Sequence, residues 1–267
     1  MTLNIIVGIK WVPNTTAVNI DQKTGTLIRT GTPSIINPPD LNALELALQL
    51  KDRYGGTVTA LTMGPPMAKI GLEHTIGIGC DKGVLISDQM FAGADTLATS
   101  YTLSKAIQKI EGYNLVIVGQ ETVDSSTAHI GAQIASWLDL PFIYYVTEVN
   151  YSNGNLLVKR LLENSYEEYD VQLPALISTS MHSNSPRKVK LMSKLRTKTE
   201  GTIDTWNNAV LGLNALCIGL RGSPTFVAKT QFMAEVARKK EVFKEKDSSK
   251  AAEWLVNKLN EDKLLSN

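Results

Sequence analysis

Six apolar runs of strand length recur along the chain: NIIVGIK (4–10), TVTALTM (57–63), GVLIS (83–87), NLVIVG (114–119), FIYYV (142–146) and ALIST (175–179). Apart from the Thr57-Val58-Thr59 start of the second, these runs are unbroken by polar alternation, so both faces of the strands need cover. A parallel sheet with helices on either side provides it. The chain is therefore expected to be α/β, with a doubly wound, mostly parallel sheet.

Caps and periodicity place the intervening helices. Residues 41–54 repeat Leu41, Leu44 and Leu48 on one face and stop at Gly55-Gly56, and further helices are expected over 66–78, 95–110 and 126–138, the last closed by Pro141. Residues 147–173 alternate instead and contain Ser152-Asn153-Gly154, a hairpin signal, so a small antiparallel excursion is expected there. The division expected is an α/β domain over residues 1–185 and an extended C-terminal arm over 186–267. That arm has no strand repeats, contains a mixed-charge helical stretch within 231–264, and should wrap its own core or a partner chain.

Composition narrows the functional classes. Lys and Arg number 27 against 26 Asp and Glu, which argues against bulk electrostatic binding of nucleic acid or membrane. The N-terminal apolar run is too short for a signal or spanning segment, and Cys80 and Cys217 lack disulfide-framework or zinc spacing; a reducing, cytoplasmic setting fits. His74, His129 and His182 form no triad or metal pattern, and GxSxG, GxGxxG and P-loop motifs are absent, so neither a metal nor a catalytic side chain is assigned. His74 reads as structural, His129 as a surface position near a ligand loop, and Cys80 as a small buried residue.

Sheets of this kind bind ligands outside the carboxyl ends of their strands. Four strand ends carry unusual residues: GIKWVPNT, MGPP, SDQMFAGADTLAT and GQETVDSSTAHIG. In the third, Gly93 admits close backbone approach, Asp95 or Thr96 can cap the following helix, and Thr96, Thr99 and Ser100 add hydroxyls where a diphosphate would be favoured. In the fourth, Asp124 can accept from ribose hydroxyls, with Ser125, Ser126 and Thr127 at the next helix start. Either loop alone is better explained by ordinary capping. Together at adjacent strand ends they suggest a nucleotide clamp.

VGIKWVPNT, INPPDLNALELALQLK, LVIVGQETVDSSTAHIGAQIASWLDLP and GLRGSPTFV resemble, over nearly the whole chain, segments of the electron transfer flavoprotein β subunits. The resemblance implies a Rossmann-like, adenine nucleotide α-hydrolase-like fold, a heterodimer with an α subunit, and a bound FAD or a structural AMP. SDQMFAGADTLATSYTL resembles the electron-bifurcating branch, in which the β-bound FAD exchanges hydride with NAD(H) and electrons pass to a flavoprotein dehydrogenase (acyl-CoA or lactate type) and to ferredoxin. Family members often have Arg at Gln89 and Asp at Asn14, so charge contacts there are not carried over. The resemblance implies that Gly8, Ile9, Lys10, Asn37 and Met63 line an adenosine pocket, and that Gly119, Asp124, Thr127 and Gly131 follow ribose and phosphates. Asp95, Thr96 and Thr99 would hold the diphosphate's other side. SPRKVKLMSK matches the family's docking loop, with Leu191 and Met192 as apolar anchors. The alternatives are a non-bifurcating β subunit holding AMP and, in another class, a universal-stress-like nucleotide-binding module.

Overall fold

A computed structural model describes residues 2–14, 19–20, 27–28, 33–193, 195, 202–226, 241–244, 246–262 and 264. Along the chain run strands β1 (Leu3–Gly8), β2 (Trp11–Pro13), β3 (Asn19–Ile20), β4 (Leu27–Ile28) and β5 (Ser34–Ile36), then helix α1 (Pro38–Tyr54). β6 (Gly56–Met63), α2 (Lys69–Ile78), β7 (Lys82–Ile86), α3 (Thr96–Lys109), β8 (Leu115–Gly119) and α4 (Ile130–Leu138) follow. The rest comprises β9 (Phe142–Ser152), β10 (Asn155–Leu161), β11 (Tyr166–Gln172), β12 (Ala175–Thr179), β13 (Ile203–Trp206), α5 (Asn208–Leu211) and α6 (Ser248–Glu261).

Nine strands form one sheet in the order β11-β10-β9-β12-β8-β1-β6-β7-β13. From β9 to β13 every neighbouring pair is parallel, whereas β10 and β11 extend the β9 edge antiparallel. The six apolar runs all become strands of this sheet, largely buried in β1, β6, β7, β8 and β12, whereas in FIYYV only Val146 is buried and Tyr145 is exposed. Successive side chains of β1 explain the burial: Ile5 and Val7 pack with Leu44 and Leu48 of α1 and Leu72 of α2, while Ile6 packs on the other face with Ile107 of α3 and Ile134 of α4. At the hairpin, Asn153 and Gly154 take φ of 52° and 91°, the left-handed pair that a two-residue turn between twisted strands requires.

Three local differences have physical causes. The helix expected over 126–138 begins only at Ile130, because Ser126 and Ala128 stand at positive φ and the preceding residues form a turn closed by Ser126 N–H donating to the Thr122 carbonyl, 2.7 Å. The first strand stops at Gly8 and the chain re-forms as β2, paired antiparallel with β5. The segment beyond residue 185 supplies β13, which pairs with β7, so the compact α/β unit runs through Phe226.

The second unit covers residues 227–267. Of the helical stretch expected there, residues 231–240, 245 and 263 lie outside the described residues. α6 is capped by Asp247, which accepts from Ser249 N–H at 2.9 Å, and Trp254 stacks on Phe243 with centroids 5.1 Å apart. No residue of α6 is buried within the chain. Among the described residues, no helix is long and apolar enough to cross a membrane.

Candidate functional site

From β1 the chain builds outward through β6 to β7, then returns to place β8 on the other side of β1. The strand order therefore reverses between β1 and β8, where an open α/β sheet leaves a crevice beyond its strand ends. The N-terminus of α1 is wedged there. Pro38 and Pro39 suit its first turn, having no N–H to satisfy.

Three side chains tie the crevice together. Buried Asn37 donates to the Glu121 carbonyl at 2.8 Å and accepts from Val123 N–H at 3.0 Å, so it fixes the loop after β8. Buried Asp40 accepts from Lys10 N–H at 2.7 Å, fixing the chain after β1. Lys10 Nζ then spans the crevice to the Asp124 carboxylate at 2.7 Å. Gly119 completes the arrangement: a Cβ there would strike the Asp40 carboxylate and the backbone of Pro39.

The electrostatics differ between the two acids. Burial drives the Asp40 carboxyl from 3.8 to about 7, although Asn37, the Lys10 N–H and charge, and Gly119 N–H all pull it down. At Asp124, partial burial raises the pKa, but the bond from Lys10, a hydroxyl from Thr122, the Lys10 charge and Ser125 outweigh it and hold the group below its usual range. Asp124 is thus an anion with Lys10 as its counter-ion. A rim of this kind offers both an acceptor for hydroxyls and a cation for phosphate.

The loop after β7 makes a second cluster. One oxygen of Asp95 caps α3, accepting from Leu97 and Ala98 N–H at 3.0 and 3.1 Å. Its other oxygen accepts from Thr225 N–H and hydroxyl at 3.1 and 2.9 Å, while Asp95 N–H donates to Ser223 Oγ at 2.8 Å. Those donors outweigh desolvation and hold Asp95 below the usual carboxylate range. Asp88 acts similarly, accepting from Met90 N–H at 3.0 Å and Asn208 N–H at 2.9 Å. Both acids of this loop are therefore occupied in fastening later parts of the chain.

Lys10, Asn37, Gly119 and Asp124 meet in the crevice, Gly8 ends β1 beside Val118, and Ile9 is a buried core residue whose N–H bonds the Leu61 carbonyl of β6 at 2.9 Å. Met63 ends β6, half buried against the core beneath α3 and α4. Thr96 accepts from Gln133 at 3.3 Å, which joins α3 to α4, and Thr99 lies half buried in the first turns of α3. Ser125, Ser126 and Thr127 are exposed on the loop before α4, not at a helix start; Ser125 leans on Asp124 at 3.3 Å. Gly131 is buried where α4 meets Val118 and Phe142, a packing position. Leu191 and Met192 stand apart from both clusters, on a segment whose Lys190 N–H bonds the Gly77 carbonyl of α2 at 2.7 Å. His74 packs edge-on against Trp11, His129 is exposed just before α4, and burial pushes the Cys80 thiol up to about 12. Among the described residues, no cluster fits a metal ion. Sequence reasoning did not single out Asp40, Ser223 and Thr225, although all three lie in the motifs INPPD and GSPT.

Comparison with known proteins gives one result. Residues 24–211 match the electron transfer flavoprotein domain. The chain is 40% identical to an electron transfer flavoprotein subunit beta of Clostridium acetobutylicum, over 97% of this chain and 99% of that one. It is 42% identical to the caffeyl-CoA reductase-Etf complex subunit CarD of Acetobacterium woodii, over 85% and 87% of the two chains. Protein FixA of Azotobacter vinelandii is 38% identical over 92% and 90%.

Two outcomes follow from the crevice. Because Asp40 has a raised pKa, the folded protein holds its proton between pH 4 and 7 while the unfolded chain does not, so this group's contribution to stability falls as pH rises through that window. Urea midpoints at pH 5 and pH 8 should show wild type losing stability relative to Asp40→Asn on going to pH 8; a constant difference would contradict the assignment. Gly119→Ala must displace α1 and should lower stability by about 3 kcal/mol, read from the same midpoints.

Proposed function

The chain belongs to the electron transfer flavoprotein family as a β subunit, and we propose that it is the β chain of an electron-bifurcating heterodimer. Its partner would be an α subunit, and the nucleotide it binds would be FAD. That FAD would supply the redox chemistry, exchanging hydride with NAD(H) and dividing or merging electrons between ferredoxin and a flavoprotein dehydrogenase of acyl-CoA or lactate type. Neither direction, bifurcation or confurcation, is favoured by the residues. The chain would be inactive alone and would work in the cytoplasm.

The observation that carries this proposal is a second wall beside the crevice, latched by bonds of its own. The crevice between β1 and β8 suits an adenosine: Asp124 accepts from ribose hydroxyls and Lys10 neutralises phosphate. AMP would be satisfied there. The loop after β7 adds a further wall, with Thr96 and Thr99 on the first turns of α3, and it is latched by Asp95 to Ser223 and Thr225. A longer dinucleotide uses such a wall; a mononucleotide does not need it. With the carboxylate of Asp95 already satisfied, its contribution is to hold that wall in place, and the polar groups offered to a diphosphate are those of the helix start it organises. The family match removes the universal-stress-like alternative, while the AMP-holding β subunit remains the competing outcome of the test.

The test is stoichiometric. The chain purified with its α subunit should contain two flavins per heterodimer; one flavin plus one AMP would establish the non-bifurcating alternative. Asp95→Asn can keep the helix cap, but its amide must face the Thr225 N–H, which loosens the latch at Thr225 while the backbone bond to Ser223 stays. Asp95→Asn and Thr99→Ala should each weaken retention of the second flavin by about tenfold, or ~1.4 kcal/mol, and leave the first unchanged. Full retention in both variants would remove the α3 loop from the site.

A further inference from the structure

Glu45 lies in the middle of α1, between the core residues Leu44 and Leu46, and its side chain is only 7% exposed. A carboxylate so buried needs a bonded counter-ion. Arg187 supplies it. The guanidinium donates through Nε and Nη2 to the two carboxylate oxygens at 2.9 and 3.0 Å, and Arg187 N–H adds a third bond at 3.0 Å. Nη2 also reaches Asp52, two turns further along α1, at 2.9 Å.

The chain on either side is held as well. Asn42 donates to the Asn184 carbonyl at 2.8 Å and Asn184 returns a bond to the Asn42 carbonyl at 3.0 Å. Lys190 N–H is fixed on Gly77 at 2.7 Å. Immediately after these bonds come Leu191 and Met192, 69% and 70% exposed. An apolar pair presented to water from a firmly bonded base is already ordered before contact, so a partner need not supply the ordering entropy.

We propose that Arg187, through its fork on Glu45 and Asp52, is the positioning residue that presents Leu191 and Met192 to the partner dehydrogenase. This rests on the docking role that the family resemblance gives those two residues. The fork matters more than the charge, because a lysine cannot bridge both carboxylates with parallel bonds.

The test uses the full heterodimer with NADH, saturating oxidised ferredoxin and an enoyl-CoA as terminal acceptor, and varies the concentration of an acyl-CoA dehydrogenase purified from the same organism. Arg187→Lys leaves Glu45 a counter-ion, and the double variant Glu45→Gln/Arg187→Met removes the buried charge altogether; Leu191→Ala is the docking control. In both anchor variants, amide exchange at residues 188–193 should accelerate, and KM for the dehydrogenase should rise roughly tenfold with kcat and flavin content unchanged; any fall in melting temperature should be smaller in the double variant, which strands no buried charge. Adding Leu191→Ala to Arg187→Lys should raise KM by less than the product of the single effects. Unchanged exchange in both anchor variants overturns the anchor. Faster exchange with unchanged KM, while Leu191→Ala still raises KM, separates the anchor from docking and also overturns the proposal. If Leu191→Ala leaves KM unaltered, the docking role itself falls, and this inference with it. A KM rise accompanied by equal losses of flavin and melting temperature would mark Arg187 as a purely structural residue.

Discussion

A buried carboxylate at the start of α1 sets the geometry on which the candidate site depends. Asp40 lies where β1 and β8 end side by side, with the Lys10 N–H bonded to it and Gly119 against it. Any side chain at position 119 would push the helix out, and without an acceptor at 40 the chain leaving β1 would lose its fixed point. Asn37 completes the joint by binding the loop after β8 through both ends of its amide. The crevice of a doubly wound sheet is a topological consequence. Its width and its polar lining come from these few bonds.

The sheet was legible in the sequence because a parallel strand covered on both faces must be apolar throughout, and such runs stand out. Legibility failed where that requirement lapses. β13 is an edge strand with one neighbour, and Asp204 and Thr205 within it are exposed, so IDTW carries no apolar run. The loop before α4 failed for another reason. Ser125, Ser126 and Thr127 look like a helix start, but Ser126 and Ala128 adopt left-handed conformations set by the turn on Thr122, a cost that local propensity does not anticipate. Of the site, Asp124 was readable from its own loop and Lys10, Asn37 and Gly119 were carried by the family resemblance; the structure brings the four into one crevice. Asp95 was readable as a helix cap from its local pattern. Its second bond set, to Thr225, was not, since nothing local marks a partner 130 residues away.

The hydroxyls of α3 show how a polar sequence can be buried with its donors satisfied. Ser100, Thr102 and Ser104 each return their hydroxyl to a carbonyl of the preceding turn, on Leu97, Ala98 and Tyr101, so no donor is stranded in the helix interface. Ser100 also accepts from the Trp137 indole of α4 at 3.2 Å. Ser100 thus meets α4 with its own donor already bonded, and Gln133 on Thr96 adds a bond near the start of α3. The two walls of the candidate site therefore share a support: α4 rests on Val118 next to the crevice through Gly131 and holds α3 through Gln133 and Trp137.

Helix α1 gives the molecule a common reference frame. Its first turn defines the crevice, while Asn42, Glu45 and Asp52 along its length fasten the segment that ends in Leu191 and Met192. Asp40 and Glu45 are five residues apart, about 7.5 Å along the axis. The helix between and beyond them is pinned by Leu44 and Leu48, both essentially without exposure. A close-packed helix of this kind does not deform continuously: it stays or it shifts as a body. Allosteric coupling between nucleotide and partner would need a second stable position of such an element. The bonds at both ends of the span oppose one. They hold α1 as a spacer between the crevice and the segment that ends in Leu191 and Met192.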